Sequence, residues 1–528
     1  MIDLYSKNLK RSDLLHFQNT CDELIHKSIT INIHRNHAFE PVGSIINAFL
    51  SQSGLIAKFQ IGPYDDSLSF DNLQKSHLEI IWVDLSRYKN NPLEHISKQI
   101  KYLKTLTTSP ILPIFMDIHC RFNLSHLQED NVLFLSSFIQ QEDLDDKKSS
   151  ITGTRLGNKA CIKIAQFLGL REIPSLLLPS LKAIVLDLDN TLYSGILGED
   201  GIDNLVLTQE HKKLQEKILD YKNKGFLLAL ASKNEEQHVQ EMFHKRKDFP
   251  LQWKDFDTKE VNWNPKSQNI QKIAQFFNFG LDSLLFIDDN IAEIESVKSL
   301  NIKTILAISP TKVLETLELF PQMHKKAITN EDILRSADIQ ANQLRQQLSN
   351  LSQKEYFQNL QISLIFSIDN LNNIQRITEL LNKTNQFISG YTRPTLNQVE
   401  EWFRNPHLSI ATIAMSDKLS DSGIIAIFIG EKIKHQLALR DLCISCRALG
   451  RKLEEIMLFK AISLLKEKLG ILSPTTDIYF KKGERNSPFL DFLQKLPQHS
   501  ASQNIYTTID EIVNTDGLNI KEEKNERF

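Results

Sequence analysis

Short apolar runs alternate with amphipathic stretches through most of this chain, and the alternation predicts its layers. Within residues 1–175, Leu78-Glu79-Ile80-Ile81-Trp82-Val83 and Ile111-Leu112-Pro113-Ile114-Phe115 read as buried strands. Val42–Leu50 and Ile96–Leu106 carry apolar residues at helical spacing. Strands alternating with helices predict a doubly wound α/β domain. Across residues 178–330, Ala183-Ile184-Val185-Leu186, Phe226–Ala231 and Leu284-Leu285-Phe286-Ile287 are apolar enough to be strands covered on both faces. Helices are expected at Gln209–Lys224 and at a stretch holding Ile270, Ile273, Ala274 and Phe277, with Asn264 as its N-cap and Pro265 at its first position. Residues 331–360 are polar, Gln-rich and helical in spacing, and read as a linker. Residues 361–510 predict an α+β domain, with strands at Ile424–Ile429 and Leu437–Ser445 and a helix Arg451–Leu469 closed by Gly470. The charged stretch 511–528, ending KEEKNERF, is expected to be disordered.

The ends of the three central strands carry the candidate chemistry. The first ends in Asp187-Leu188-Asp189-Asn190-Thr191, the second in Ser232-Lys233-Asn234 and the third in Asp288-Asp289-Asn290. Carboxylates cannot pack into an apolar sheet without partners, and parallel α/β sheets place ligands at their carboxyl ends. Asp187 could attack an electrophile while Asp189 moves the proton; a strand-end Asp that merely caps the next turn is the alternative. Lys266, in the first turn of its helix, sits where the dipole disfavours a cation unless an anion binds there. A solvated surface lysine is the other reading. If the sheet order brings the four carboxylates Asp187, Asp189, Asp288 and Asp289 into one crevice, they repel unless a cation lies among them, and hard oxygen ligands point to Mg²⁺.

This ordered set resembles the haloacid dehalogenase superfamily. The stretches Asp187–Gly201, Ala231–Asn234, Trp263–Ser267 and Phe286–Asn290 are similar to subfamily IIIC, the FkbH-like proteins. So are Lys383–Phe387, Ser420–Gly423 and Ser445–Arg451 nearer the C-terminus. The resemblance implies a capless Rossmannoid core, an SGNH-like N-terminal domain and a C-terminal domain similar to the GNAT acyltransferases. No Gly-Asp-Ser string occurs, so the N-terminal domain reads as non-catalytic, for docking, substrate capture or structure alone. Only about forty residues separate Asp189 from Ser232 and about thirty separate Ser232 from Lys266, too few for an inserted cap domain.

In the implied mechanism Asp187 takes the phosphoryl group, Asp189 serves as acid and base, and Ser232 and Lys266 hold phosphoryl oxygens. Thr191 and Asn234 would bind substrate. Arg447-Ala448-Leu449-Gly450 looks like the loop whose backbone holds a pyrophosphate in GNAT enzymes, with Arg451 beside it; Lys452 departs from that pattern. Cys443 and Cys446 form a CxxC whose members point to opposite faces of a strand, so chelation is not expected. Cys446, before a helix and beside Arg447, is either an acyl-carrying nucleophile or a small buried apolar residue. The resemblance implies a glyceryl or similar acyl transferase. It would move the group from a donor like 1,3-bisphosphoglycerate to the phosphopantetheine thiol of an acyl carrier protein, releasing phosphate. The arrangement also implies closure of the C-terminal domain, through its 447–451 loop, over the mouth near Tyr193–Gly201. A plain Mg²⁺ phosphatase, a GNAT-type acyltransferase and an inert scaffold are the rival readings.

Composition narrows the setting. In 528 residues, 62 Lys and Arg nearly balance 65 Asp and Glu, which speaks against nucleic acid or anionic lipid as the partner. No signal pattern or membrane-length apolar run is present, and five scattered cysteines do not suggest a disulfide framework, so a cytoplasmic protein is expected.

Overall fold

The computed structural model describes residues 2–20, 26–64, 68–71, 73–124, 132–325, 339, 341, 345, 348, 351–483 and 485–524. The chain divides into two compact units, Met1–Ser180 with Glu315–Lys326, and Leu181–Leu314 with Ala327–Phe528. Among the described residues, no helix is long and apolar enough to cross a membrane.

The first unit is built on β1 (Lys27–Arg35), β2 (Leu55–Ile61), β3 (Leu78–Asp84), β4 (Ile111–Met116) and β5 (Leu133–Phe134). All pair in parallel, in the order β2-β1-β3-β4-β5. This is a doubly wound order that reverses direction between β1 and β3. Every residue of β3 is buried, including Glu79, whose carboxylate is met by Asn32 Nδ2 at 3.1 Å and His34 Nε2 at 2.7 Å. After β1, Asn36 brackets the backbone of Asp84, accepting from its N–H at 2.7 Å and donating to its carbonyl at 3.1 Å.

Glu315–Lys326, expected to belong to the 178–330 core, joins the first unit instead. Lys7 Nζ meets Glu315 at 2.8 Å, Gln322 Nε2 donates to the Pro179 carbonyl at 2.6 Å, and Leu319 packs on that unit's apolar core. Apolar burial of Leu319 decides the side on which the segment lies.

In the second unit, β6 (Ala183–Leu186), β7 (Leu227–Ser232), β8 (Thr258–Val261), β9 (Leu284–Asp288) and β10 (Lys303–Leu306) form a parallel sheet ordered β10-β9-β6-β7-β8. The wholly apolar β6 lies between β7 and β9, as its complete burial requires. Between β6 and β7 lie two short helical turns and the helix Gln209–Asn223; between β7 and β8 lie the helix Glu236–Lys245 and a single short turn. There is no cap domain in these connections.

The rest of the unit is a mixed sheet of β11 (Ser363–Ile368), β12 (Leu408–Ser416), β13 (Asp421–Ile433), β14 (Gln436–Ile444), β15 (Thr475–Tyr479), β16 (Gln498–Ser502), β17 (Ile505–Ile509) and β18 (Asn519–Lys524). Their order is β16-β17-β15-β14-β13-β12-β11-β18. The helix Glu454–Leu469 covers this sheet through Met457, Leu458 and Leu465, and ends at Gly470 with φ 63°. It starts three residues later than the sequence suggested, because Gly450 and Lys452 adopt positive φ and cannot continue a helix. Of the expected linker, Gln353–Leu360 is helical, opened by a Ser352–Glu355 capping box, and most of 331–350 lies outside the described residues.

Disorder of the whole 511–528 stretch is overturned. Asn519–Lys524 pairs in parallel with β11, Ser367 Oγ donates to Glu523 at 2.6 Å, and Lys460 Nζ meets Glu522 at 2.6 Å. Ile520 packs on the core while the charged neighbours find partners, so a charged composition does not prevent a strand. Truncation after Leu518 should bare the β11 edge and lower stability by about 1–3 kcal/mol, with more aggregation on heating. Thermal melting with light scattering checks this, and an unchanged melt would show that β18 contributes nothing.

Candidate active site

The carboxyl end of the second unit's parallel sheet gathers the residues that the strand-end pattern singled out. β6 delivers Asp187, β7 delivers Ser232, β9 delivers Asp288, and the helix Lys266–Phe277 delivers Lys266 from its first residue. Pro265 occupies the cap position and Asn264 lies outside it, one residue earlier than the sequence reading placed them.

Lys266 Nζ lies 2.8 Å from Asp187 Oδ1 and 2.5 Å from Asp288 Oδ2, with all three side chains buried. Ser232 Oγ donates to Asp187 Oδ1 at 2.9 Å. The Asn290 N–H donates to Asp288 Oδ1 at 2.7 Å, and its side chain caps the helix Ile291–Lys298, fixing the turn after β9. Burial pushes the Asp187 carboxyl up to about 6; the Lys266 ammonium opposes this and Asp288 adds to it. Burial likewise raises Asp288 and Asp289. Burial pulls the Lys266 ammonium down, yet the two carboxylates outweigh it and hold its pKa above the ordinary value.

Asp187, Asp288 and Asp289 offer ligand oxygens within 4.8 Å of one another. Three carboxylates against one lysine leave an excess of negative charge, which suits a small divalent cation. Asp189, expected among the metal ligands, stands outside this cluster. Its Oδ1 accepts from Tyr193 OH at 2.7 Å and Leu197 N–H at 2.9 Å, and its Oδ2 accepts from Asn234 Nδ2 at 2.8 Å. The local reason is the flap: residues 193–201 fold back beside Asp189, and Tyr193 is buried against Phe249. Burial and the neighbouring Asp189 raise the Tyr193 phenol, so it remains a donor. Tyr193 is the functional contact that motif spacing did not reveal; an aromatic residue four positions after the second Asp is the only trace it leaves in the sequence. Thr191 is buried beside these groups, and its hydroxyl makes no hydrogen bond among the described residues.

Cys446, Arg447, Gly450 and Arg451 are not brought to this crevice. The Cys446 carbonyl accepts from Asn278 Nδ2 at 2.9 Å, and Asn278 closes the far end of the helix that Lys266 begins. Twelve residues at 1.5 Å each separate the two ends by about 18 Å. Arg485 pairs with Asp282, which precedes β9 at the sheet's amino end. The expectation that the 447–451 loop faces the flap is therefore overturned. Apolar contact decides it: Cys446 packs on the apolar core of the parallel sheet. Arg447 is buried with Nε 3.5 Å from Ser445 Oγ, and Arg451 meets Asp417 at 3.4 Å, so these cations serve the C-terminal sheet. Cys443 is wholly buried among apolar side chains, and burial raises its thiol, which removes it as a ligand or nucleophile.

No family model and no curated protein matches the chain. Among solved structures it is similar to the N-terminal part of the protein BF1531 from Bacteroides fragilis, which contains a phosphatase domain complexed with Mg. Identity there is 18%, covering 60% of this chain and 99% of that one, with a TM-score of 0.47. It is also similar to the PaiA N-acetyltransferase from Thermoplasma acidophilum in complex with coenzyme A. Identity is 17%, covering 27% of this chain and 98% of that one, with a TM-score of 0.20. A putative HAD-like phosphatase from Mesorhizobium loti shares 10% identity over 28% of this chain and 90% of its own, with a TM-score of 0.20.

Proposed function

We propose that the chain is a Mg²⁺-dependent phosphoryl-transfer enzyme with Asp187 as nucleophile. The observation that carries this reading is one buried constellation: Asp187 held by Ser232 at 2.9 Å and Lys266 at 2.8 Å, with Asp288 and Asp289 beside it. Asp187, Asp288 and Asp289 would hold the cation, which when bound neutralises charge on the phosphate. The Asp187 carboxylate attacks phosphorus as the bond to the leaving oxygen breaks, and Asp189 supplies that oxygen's proton. Asp189 then takes a proton from the water that cleaves the aspartyl-phosphate. Lys266 and Ser232 steady the equatorial oxygens as charge develops.

The substrate we favour is a small phosphorylated acyl donor, with the acyl group passing to the phosphopantetheine thiol of an acyl carrier protein. An uncapped crevice needs a second macromolecule to exclude water. Exposed apolar residues supply a surface for one: Ile196 in the flap, Trp263 after β8, Ile291 after β9 and Ile308 after β10. Cys446 lies away from the crevice, so transfer would be direct. The carrier thiol attacks the donor's acyl carbon, the C–O bond to the acyl phosphate breaks, phosphate leaves and the thiol's proton passes to solvent. The Asp187 step acts on the second, ester phosphate of a bisphosphoglycerate-like donor. A plain phosphatase is the rival.

Chelation with EDTA should abolish phosphate release from small phosphoesters, and Mg²⁺ should restore it better than Ca²⁺, whose longer bonds and higher coordination suit a larger site. Full activity in chelator would remove the cation from the reaction. Intact-mass measurement of a carrier protein incubated with enzyme and phosphoglycerate donors separates the two substrates. A mass gain that needs Asp187 favours acyl transfer, and phosphate release without any adduct favours the phosphatase.

A further inference from the structure

The C-terminal sheet opens where β14 and β15 part. Their parallel pairing sets Leu437, Ala438 and Leu439 against Thr476, Asp477 and Ile478 and goes no further. Beyond that point the β14 edge offers backbone groups of the kind that an extended, amide-bearing chain fills by strand addition. The likeness of the loop after β14 to a pyrophosphate-holding loop makes coenzyme A, with its amide-bearing pantetheine arm, the implied occupant.

In this protein the place is filled by the chain itself. The Ile444 N–H donates to the Phe387 carbonyl at 2.9 Å, and the Ser389 N–H donates to the Leu442 carbonyl at 3.0 Å. On the other side, the Lys481 N–H donates to the Ser389 carbonyl at 2.8 Å. Asn486, wholly buried, donates to the Ile388 carbonyl at 3.1 Å. Buried Asp441 clasps the end of the segment, accepting from Ser389 Oγ at 3.0 Å, Gly390 N–H at 3.0 Å and Thr392 N–H at 3.1 Å. A Cβ at position 390 would lie 2.9 Å from Asp441 Oδ2, so this approach requires glycine.

The start of the following helix is occupied too. The Gly450 N–H donates to Glu454 Oε1 at 2.7 Å, and Glu454 and Glu455 fill the first turn. Carboxylates there meet the positive end of the helix dipole and would repel a pyrophosphate. Arg447 and Arg451, the cations that could offset this, are buried beneath the loop.

We infer that the C-terminal sheet is closed to coenzyme A and to any pantetheine arm laid along β14. Residues 387–390, clasped by Asp441, take the place of the arm, and Glu454 takes the place of the pyrophosphate. None of these contacts involves the Asp187 crevice, so phosphate release, measured separately, reports on that site alone.

Amide hydrogen exchange of the full-length protein, with and without millimolar coenzyme A or acetyl-coenzyme A, tests this. Residues 384–393 and 440–450 should exchange slowly in the free protein and show no change with either compound. Gly390→Ala should speed exchange over 384–393 while leaving β9 unaffected; should that variant fail to fold, Asp441→Asn serves the same purpose. Added protection of 446–452, or release of 384–393, on adding coenzyme A to the wild-type protein would overturn the inference. Fast exchange of 384–393 in the free wild-type protein would do so equally.

Discussion

Asp187→Asn should lower phosphate release by about four to six orders of magnitude while the protein stays folded, because the amide keeps the shape of the nucleophile but not its reactivity. The Asn oxygen can still accept from Ser232, and Lys266 keeps Asp288 at 2.5 Å. The same substitution should change the pH dependence of stability in a defined direction. The Asp187 carboxyl is raised from 3.8 to about 6 in the folded protein, so the folded state holds that proton more tightly than the unfolded chain. In chelator, this group therefore costs stability as pH rises through that window, and Asp187→Asn removes the cost. Wild type and variant should melt alike near the acid end, with the variant gaining relative stability toward neutral pH. Turnover close to wild type would remove Asp187 from the nucleophile's role, and a variant that loses stability toward neutral pH would contradict the charge assignment.

The largest expected effect on stability lies elsewhere in the second unit. Asp417, whose side chain is fully buried, takes Arg345 Nε at 2.7 Å and Nη2 at 3.0 Å and also meets Arg451 Nη1 at 3.4 Å. It further accepts from the Leu419 and Ser420 N–H groups at 2.8 and 3.0 Å. Asp417→Ala should cost about 3–5 kcal/mol, because two buried guanidinium groups lose the carboxylate that balances them. Urea denaturation followed by circular dichroism measures this. The Asp187 crevice does not use Asp417, so phosphate release per folded molecule should be unchanged at low denaturant. A loss below about 1 kcal/mol would show that water or other groups replace the carboxylate.

Local patterning was enough to place the strands and the chemistry at their tips. A run such as Ala183–Leu186 can only be a strand covered on both faces, and the polar groups that end it must then emerge together at the sheet's carboxyl end. That is why Asp187, Ser232, Lys266 and Asp288 were legible before any coordinate. Their gathering also needs β6 to lie between β7 and β9, an order that the resemblance implied and the folded sheet has. Tyr193 was not legible in this way, because its bond to Asp189 depends on how the flap folds back, which no periodicity encodes.

Tertiary structure alone decided how the later segments are used. Ser445–Arg451 carried a recognisable motif, yet the packing of Cys446 on the parallel sheet's apolar core and its bond from Asn278 set it at the sheet's amino end, about a helix length from Lys266. Residues 387–390 showed no sign of entering the gap beside β14, since the backbone bonds that hold them there are independent of side-chain identity except at Gly390. The charged tail became β18 because an unpaired edge of β11 was available to it. Sequence pattern determines which residues are apolar enough to be buried and which polar groups lie at the ends of those runs. The meeting of distant segments is set by shape, by available sheet edges and by the pairing of buried charges, and these exist only once the chain has folded.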